Sequence, residues 1–352
     1  MMKALVLREP CRLVYEDVPT PDVGADELLI EVEACAICGS DIHGIDGSTG
    51  RRIPPIVMGH EASGTVARVG ERVDSWAVGD RVAINPTLSC GRCFFCERAL
   101  PNLCERRQVL GVSCSEFRRS GAFAEYVAVP ASSVYRLPEG LSFRSAALAE
   151  AASVALHAVR RSGLRLGESI AVVGAGMIGS LILQFALSAG ASLLIAVDPD
   201  PSRRDLASRL GAHIVVDAGE DSIRAALTET PARRGVDRAV DAVGREPTFS
   251  EALGVLRPGG TLCLVGNLEP LVHFPLQEAV DHEITVRGSY AAGADFSDAL
   301  ELIARGMVSV DPLISVVAPL ANGASWFDRL RRGEGPLMKV ILAPRATKEE
   351  WL

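Results

Sequence analysis

The stretch SIAVVGAGMIGSLILQFALSAGASLLIAVDPD, residues 169–200, decides the reading of the fold. An apolar run of strand length meets a glycine-rich turn, a segment of helical periodicity follows, and a second apolar run ends on Asp198. The glycines at 174, 176 and 179 have G-x-G-x-x-G spacing. In a strand-turn-helix unit the three do different things. Gly174 allows the tight turn, Gly176 lets the backbone approach a pyrophosphate, and Gly179 lets helix and strand pack closely. The spacing alone is a weak signal. Here it follows a strand, opens a helix and is followed by an acidic residue at a strand end nineteen residues after Gly179, which is the context a dinucleotide site requires.

Gly174, Gly176, Ile178 and Gly179 are therefore candidate cofactor-binding residues, with Asp198 the candidate for the adenosine ribose. A carboxylate at that point accepts from ribose hydroxyls and repels a 2′-phosphate, which predicts NAD rather than NADP. Arg203 and Arg204, on the helix that follows, could stack on adenine or reach a phosphate, with a solvated helix face the commoner fate of such a pair. Working outward, the alternation continues through HIVV, GVDRAVDAVG, PGGTLCLVG and EITVRGSY. Six strands make a complete doubly wound α/β sheet over residues 153–288. Val265 and Gly266, where the fifth strand ends, are further cofactor candidates.

Before this domain the texture differs. Up to about residue 130 short apolar strands (3–7, 28–32, 65–69, 81–84 and 123–129) are separated by Gly, Pro and Asp, which predicts a compact β domain. Within it, CAICGSDIHGIDGSTGRRIPPIVMGHE, residues 35–61, gathers Cys38, Ser40, His43, His60 and Glu61. Thiolate, imidazole and carboxylate are the ligand types zinc prefers, and a catalytic zinc takes three of them and leaves one position open. The periodic segment SFRSAALAEAASVALHAVRR adds Glu150, a carboxylate between apolar neighbours where an unpaired charge is costly. Glu61 and Glu150 are both candidates for the carboxylate ligand beside Cys38 and His60. Cys90, Cys93, Cys96 and Cys104 form a second cluster, C-x2-C-x2-C-x7-C, whose four thiolates satisfy a tetrahedral zinc and close the site. Arg51 and Arg52 read as exposed loop arginines, with a phosphorylated sugar as their functional alternative.

Composition narrows the classes. Among 352 residues, 48% apolar content suffices for a large core, and a net charge of −8 offers no basic field for nucleic acid. The first residues, MMKALVLREPCRLVYEDV, mix charge into a short apolar run, so neither a signal peptide nor a membrane span is expected, and a cytoplasmic location is. Nine cysteines, four of them within fifteen residues, suit metal thiolates in a reducing compartment better than disulfides.

With Cys38, His60-Glu61, the four-cysteine lobe, Glu150 and GAGMIG in this order, the chain resembles the zinc-containing medium-chain alcohol dehydrogenases over nearly its full length. GHEASG and Glu150 are most similar to the polyol (sorbitol-type), threonine-type and sugar-alcohol branches. The resemblance implies a GroES-like, mainly β catalytic domain, residues 1–152 and 289–352, split by a Rossmann domain, residues 153–288. It also implies one catalytic and one structural zinc, a homodimer or homotetramer, and a small alcohol or polyol substrate. Ser40 and His43 would relay the hydroxyl proton, and Glu150 would act at the catalytic zinc. The chain departs from the sorbitol-type pattern at Ala151, where Pro is usual, and in GSYAAGADF, which lacks the polyol-binding Arg. A zinc-independent reductase of double bonds or quinones and a non-catalytic cofactor sensor share this architecture; the full candidate ligand set argues against the reductase.

Overall fold

The computed structural model describes residues 1–228 and 230–352. The chain divides into two compact units, Met1–Glu150 with Phe296–Ala304 and Val310–Leu352, and Ala151–Asp295 with Arg305–Ser309. The crossings at 150/151 and 295/296 stand beside the sequence-based boundaries at 152/153 and 288/289. The short return at 305–309 has no counterpart in the sequence pattern.

The first unit is organised by the strand Glu27–Ala36, whose alternating apolar residues Leu28, Ile30 and Val32 enter a core with Met58, Phe123, Trp326 and Phe327. It pairs antiparallel with Glu61–Val69, Tyr126–Pro130 and Lys339–Ala343. The registers Ala36↔Glu61 and Ala36↔Ile341 bring three distant parts of the chain to one strand end. Gly64 makes the close pairing feasible, since a Cβ there would lie 2.0 Å from the Glu31 carbonyl oxygen. Beyond Lys339–Ala343 the sheet continues through Ile314–Pro319 to the tail strand Glu350–Trp351, which covers the edge. Trp351 there packs on Trp326, whose Nε1 donates to Glu349 at 3.1 Å.

The second unit carries six parallel strands in the order Ile214–Val216, Leu193–Val197, Ser169–Val173, Val236–Asp241, Leu256–Leu264 and Thr285–Gly288. Numbered within the unit that is 3-2-1-4-5-6, the doubly wound order, with the crevice for a ligand outside the carboxyl ends of the strands. Ser169–Val173, buried at every position, reads as a continuous apolar run because helices cover both its faces.

Candidate metal centre and cofactor site

Cys38 leaves the end of Glu27–Ala36 and caps a one-turn helix, Gly39–Gly44. His60 and Glu61 arrive at the start of the partner strand through Gly59. Gly59 has φ +92°, and a Cβ there would meet Phe123 at 2.8 Å and Cys35 Sγ at 2.9 Å, so only glycine fits this approach. One donor atom from each of Cys38, His60 and Glu61 lies within 4.8 Å of the others. Glu150, half-buried in the first turn of the helix Ala149–Ser162, is outside that group but inside its field. Burial, joined by the Glu61 and Asp41 carboxylates, pushes its pKa up to about 7 against the pull of His60 and Lys339.

Two buried ion pairs brace the cluster. Asp41 Oδ1 accepts from Arg52 Nη2 at 2.7 Å and lies 3.5 Å from His60 Nδ1, while Oδ2 accepts from the Cys38 backbone N–H at 3.3 Å. Burial alone would raise the Asp41 pKa, yet His60 and Arg52 hold it well below the usual carboxylate range. Burial likewise disfavours a proton on His60, but Asp41 and Cys38 draw its pKa well above that of free imidazole. The pocket demands positive charge. On the other side Lys339 Nζ donates to Glu61 Oε1 and Oε2 at 2.9 and 2.8 Å. The acidic side chains Asp41, Glu61 and Glu150 and the Cys38 thiol thus gather around His60 with only Arg52 and Lys339 as fixed cations, a setting that favours a bound cation. The soft-and-hard donor set fits zinc, which His60 would hold through its other ring nitrogen while Asp41, 3.5 Å from Nδ1, orients the ring.

Cys90, Cys93, Cys96 and Cys104 form the second group, again with their sulfurs within 4.8 Å of one another. Two short 3-10 turns, Cys96–Arg98 and Pro101–Leu103, fold the lobe back on itself. Backbone N–H groups of Cys90 and Arg106 donate to Cys104 Sγ at 3.3 and 3.4 Å, and those of Cys96 and Glu105 lower the Cys93 pKa. Four inward thiols with amide support and no open position suit a structural zinc.

In the second unit Gly174 has φ +93° and Gly176 caps the helix Met177–Ser188, with Ile178 half-buried in its first turn. Asp198 is 2% exposed; its Oδ2 accepts from Ala175 N–H at 2.8 Å and its Oδ1 from Asp200 N–H at 2.9 Å. It therefore buttresses the glycine turn as well as ending the strand. Arg204 is tied to the Asp198 carbonyl at 2.7 Å, whereas Arg203 is exposed, 3.7 Å from Asp198 Oδ2. Val265 and Gly266 both donate to the Asp241 carbonyl at 3.0 Å, which fixes that loop at the carboxyl edge of the sheet.

The chain matches two family models, the alcohol dehydrogenase GroES-like domain over residues 24–139 and the zinc-binding dehydrogenase over residues 178–305. It is 35% identical to the probable D-xylulose reductase A of Aspergillus clavatus, covering 97% of this chain and 96% of that one. It is 34% identical to the sorbitol dehydrogenase of Bacillus subtilis, covering 97% of both. The chain belongs to the zinc-containing medium-chain alcohol dehydrogenase family, polyol type. A zinc-binding dehydrogenase from Sinorhizobium meliloti, solved bound to NADP, superposes with a TM-score of 0.90 at 32% identity, covering 98% of this chain and 99% of that one.

As a member of that family the chain is a zinc-dependent oxidoreductase of alcohol or polyol CH–OH groups that uses a nicotinamide cofactor. The structure brings together Cys38, His60 and Glu61, with Glu150 in their field, and separately the four cysteines. Ser40 and His43 are exposed on the short helix beside Cys38. Asp41, Arg52 and Lys339 escaped sequence reasoning as site residues. Arg52 corrects it outright: it is 4% exposed and paired with Asp41, not a free loop cation. Asp41 did leave a signal, a carboxylate three residues after a helix cap that reaches back to the cap N–H. No helix among the described residues is long and apolar enough to cross a membrane.

Proposed function

We propose that this dehydrogenase oxidises a secondary hydroxyl of a polyol or sugar-derived alcohol with NAD, using zinc held by Cys38, His60 and Glu61. The observation that carries the assignment is the convergence of a thiol, an imidazole and a carboxylate within 4.8 Å, braced by the buried pairs Asp41–Arg52 and Glu61–Lys339. Zinc, when bound, supplies the Lewis acidity that lowers the pKa of the substrate hydroxyl. Glu61 is favoured over Glu150 as third ligand because only Glu61 lies in the three-donor group. Glu150, at the rim of the same field, accepts a hydrogen bond from substrate or water. Ser40, two residues past Cys38, and His43 on the same short helix are both exposed and would serve to accept the hydroxyl proton and hand it to solvent. A phosphorylated substrate is disfavoured, since Arg52 is spent on Asp41 and only Arg51 remains.

Turnover of alcohols, polyols and sugar phosphates, followed by NADH absorbance, tests the reading. Metal-replete protein is expected to carry two zinc ions per chain, one for each cysteine-containing group, and Cys38→Ser only one. Activity should stop on chelation. One zinc in the wild type, unchanged by Cys38→Ser, overturns the assignment.

The preference for NAD rests on the negative charge of Asp198 at the end of the second strand, where a 2′-phosphate would be repelled, and on Arg204 being already engaged. Like-charge juxtaposition of this kind costs several kcal/mol, so kcat/KM for NAD should exceed that for NADP by roughly 100-fold or more. Asp198→Ala should collapse the ratio and also weaken NAD binding, because the Ala175 amide loses its acceptor. Equal values in the wild type would assign the choice to Arg203 instead.

A homo-oligomer, dimer or tetramer, is supported by the outer strand Thr285–Gly288. It is exposed at all four positions, and Leu276, Val280 and Tyr290 nearby in the chain are exposed too, so a second copy could extend this edge.

A further inference from the structure

Lys339 opens the strand Lys339–Ala343 and is 3% exposed. Its ammonium donates to both oxygens of Glu61 and, at 3.2 Å, to the carbonyl of Ile37, the residue before Cys38. An ammonium has three donors, and all three are spent on the two chain segments that bear metal ligands. The backbone is stitched at the same place, with Ile37 N–H donating to the Val340 carbonyl at 2.9 Å.

We propose that Lys339 is a resident counter-cation of the open metal site, which neutralises the buried Glu61 carboxylate when metal is away and lowers the affinity of the site for metal. This rests on the reading of Cys38, His60 and Glu61 as a metal centre. The cluster is buried, and a buried carboxylate without a partner is costly. Arg52 answers Asp41; Lys339 answers Glu61. A dication that arrives at Glu61 therefore meets a like charge held directly behind the carboxylate, in an interior that screens poorly. The opposing effect is loss of support, since removing a group that orients a metal ligand commonly weakens binding about 10- to 100-fold. Glu61 has other anchorage, however. It is 1% exposed and is the first residue of a strand whose register with Ala36 is fixed by backbone pairing. Its position survives loss of the ammonium, so charge decides the sign.

The experiment uses full-length protein stripped of metal and titrated with Co²⁺, with wild type, Lys339→Met and Lys339→Arg compared. The second equivalent is read from the cobalt-thiolate absorption that Cys38→Ser removes. Lys339→Met is expected to bind that equivalent at least about tenfold more tightly. Its metal-free form should melt below wild type and its loaded form close to wild type, whereas Lys339→Arg should behave as wild type. Weaker or unchanged binding, or an equal fall in melting temperature with and without metal, overturns the proposal by making Lys339 a packing residue. Should Lys339→Met fail to fold without metal, loaded protein is dialysed against chelator: slower release of the second ion than from wild type supports competition, and faster release overturns it. A wild type that takes up only one Co²⁺, or a second one indifferent to Cys38→Ser, sinks the metal-centre reading and the proposal with it.

Discussion

Asp41→Ala is expected to destabilise the metal-replete enzyme by about 3–5 kcal/mol, because it strands the Arg52 guanidinium in a site that is 4% exposed. Surface substitutions typically stay within about 0.5 kcal/mol. Arg52 Nε has no partner and Nη1 reaches only the neutral Arg51 carbonyl at 3.0 Å, so no other anion compensates the charge among the described contacts. A second loss should accompany the first. Without Asp41 Oδ1 beside its Nδ1, His60 is no longer held in one orientation, and the Cys38 N–H loses its acceptor, so affinity for the open-site metal should fall about 10- to 100-fold. Arg52→Ala should cost a comparable amount of stability, since it leaves the Asp41 carboxylate buried and unpaired. The double variant Asp41→Ala/Arg52→Ala should cost less than the sum of the two, because no unpaired charge remains. Thermal melts of the four proteins and their metal titrations measure this. Additive stability losses with unchanged metal affinity would show that the pair is neither coupled nor part of the site.

How much of this is legible in the sequence follows from the range of the interactions. The glycine turn at 174–179 and the four-cysteine lobe are local, and their spacing is their geometry. Cys38, His60 and Glu61 are legible by ligand type, but that Glu61 rather than Glu150 stands beside Cys38 and His60 needs the register Ala36↔Glu61, which no local pattern encodes. Lys339 lies 278 residues from Glu61 in the chain, and its role exists only after Lys339–Ala343 pairs with Glu27–Ala36. Arg52 misleads because Gly, Ser, Thr and Pro around it signal an exposed loop. The loop folds inward instead, with Arg52 Cγ at 2.9 Å from where a Cβ on Gly44 would stand. The strand Arg12–Val18 escapes notice for the opposite reason: its sequence RLVYEDV is mostly charged or half-exposed, so its pairing with Met2–Glu9 leaves little apolar alternation to read. The first crossing between units, at Glu150/Ala151, falls within one continuous helix, so no change of texture marks it.

The two glycines of the turn should separate folding from cofactor binding when each receives a side chain. A Cβ on Gly179 would lie 1.7 Å from the Gly174 carbonyl oxygen and 2.9 Å from its carbon, contacts that no rotamer relieves because both partners are backbone. The helix Met177–Ser188 would have to withdraw from Ser169–Val173, or Gly174 would have to leave its φ of +93°. Either movement opens a core in which Val172, Leu181 and Ile182 are fully buried. Gly179→Val is therefore expected to cost about 3 kcal/mol or more, the upper end of overpacking penalties, and to lose cofactor binding as a consequence. Gly176 differs. Its φ of −68° is open to any residue, and the nearest atom to an added Cβ is Arg203 Nη1 at 3.9 Å. Gly176→Ala should melt within about 0.5 kcal/mol of wild type. Its methyl group, however, would stand at the helix N-terminus where the backbone must approach the pyrophosphate. The affinity for NADH, followed by fluorescence titration, should drop by about tenfold or more, a change of about 1.4 kcal/mol in binding. The pair of results is diagnostic: a stable Gly176→Ala with wild-type affinity would place the cofactor elsewhere, and a Gly179→Val that melts normally would mean that helix and strand do not pack at the distance the turn requires.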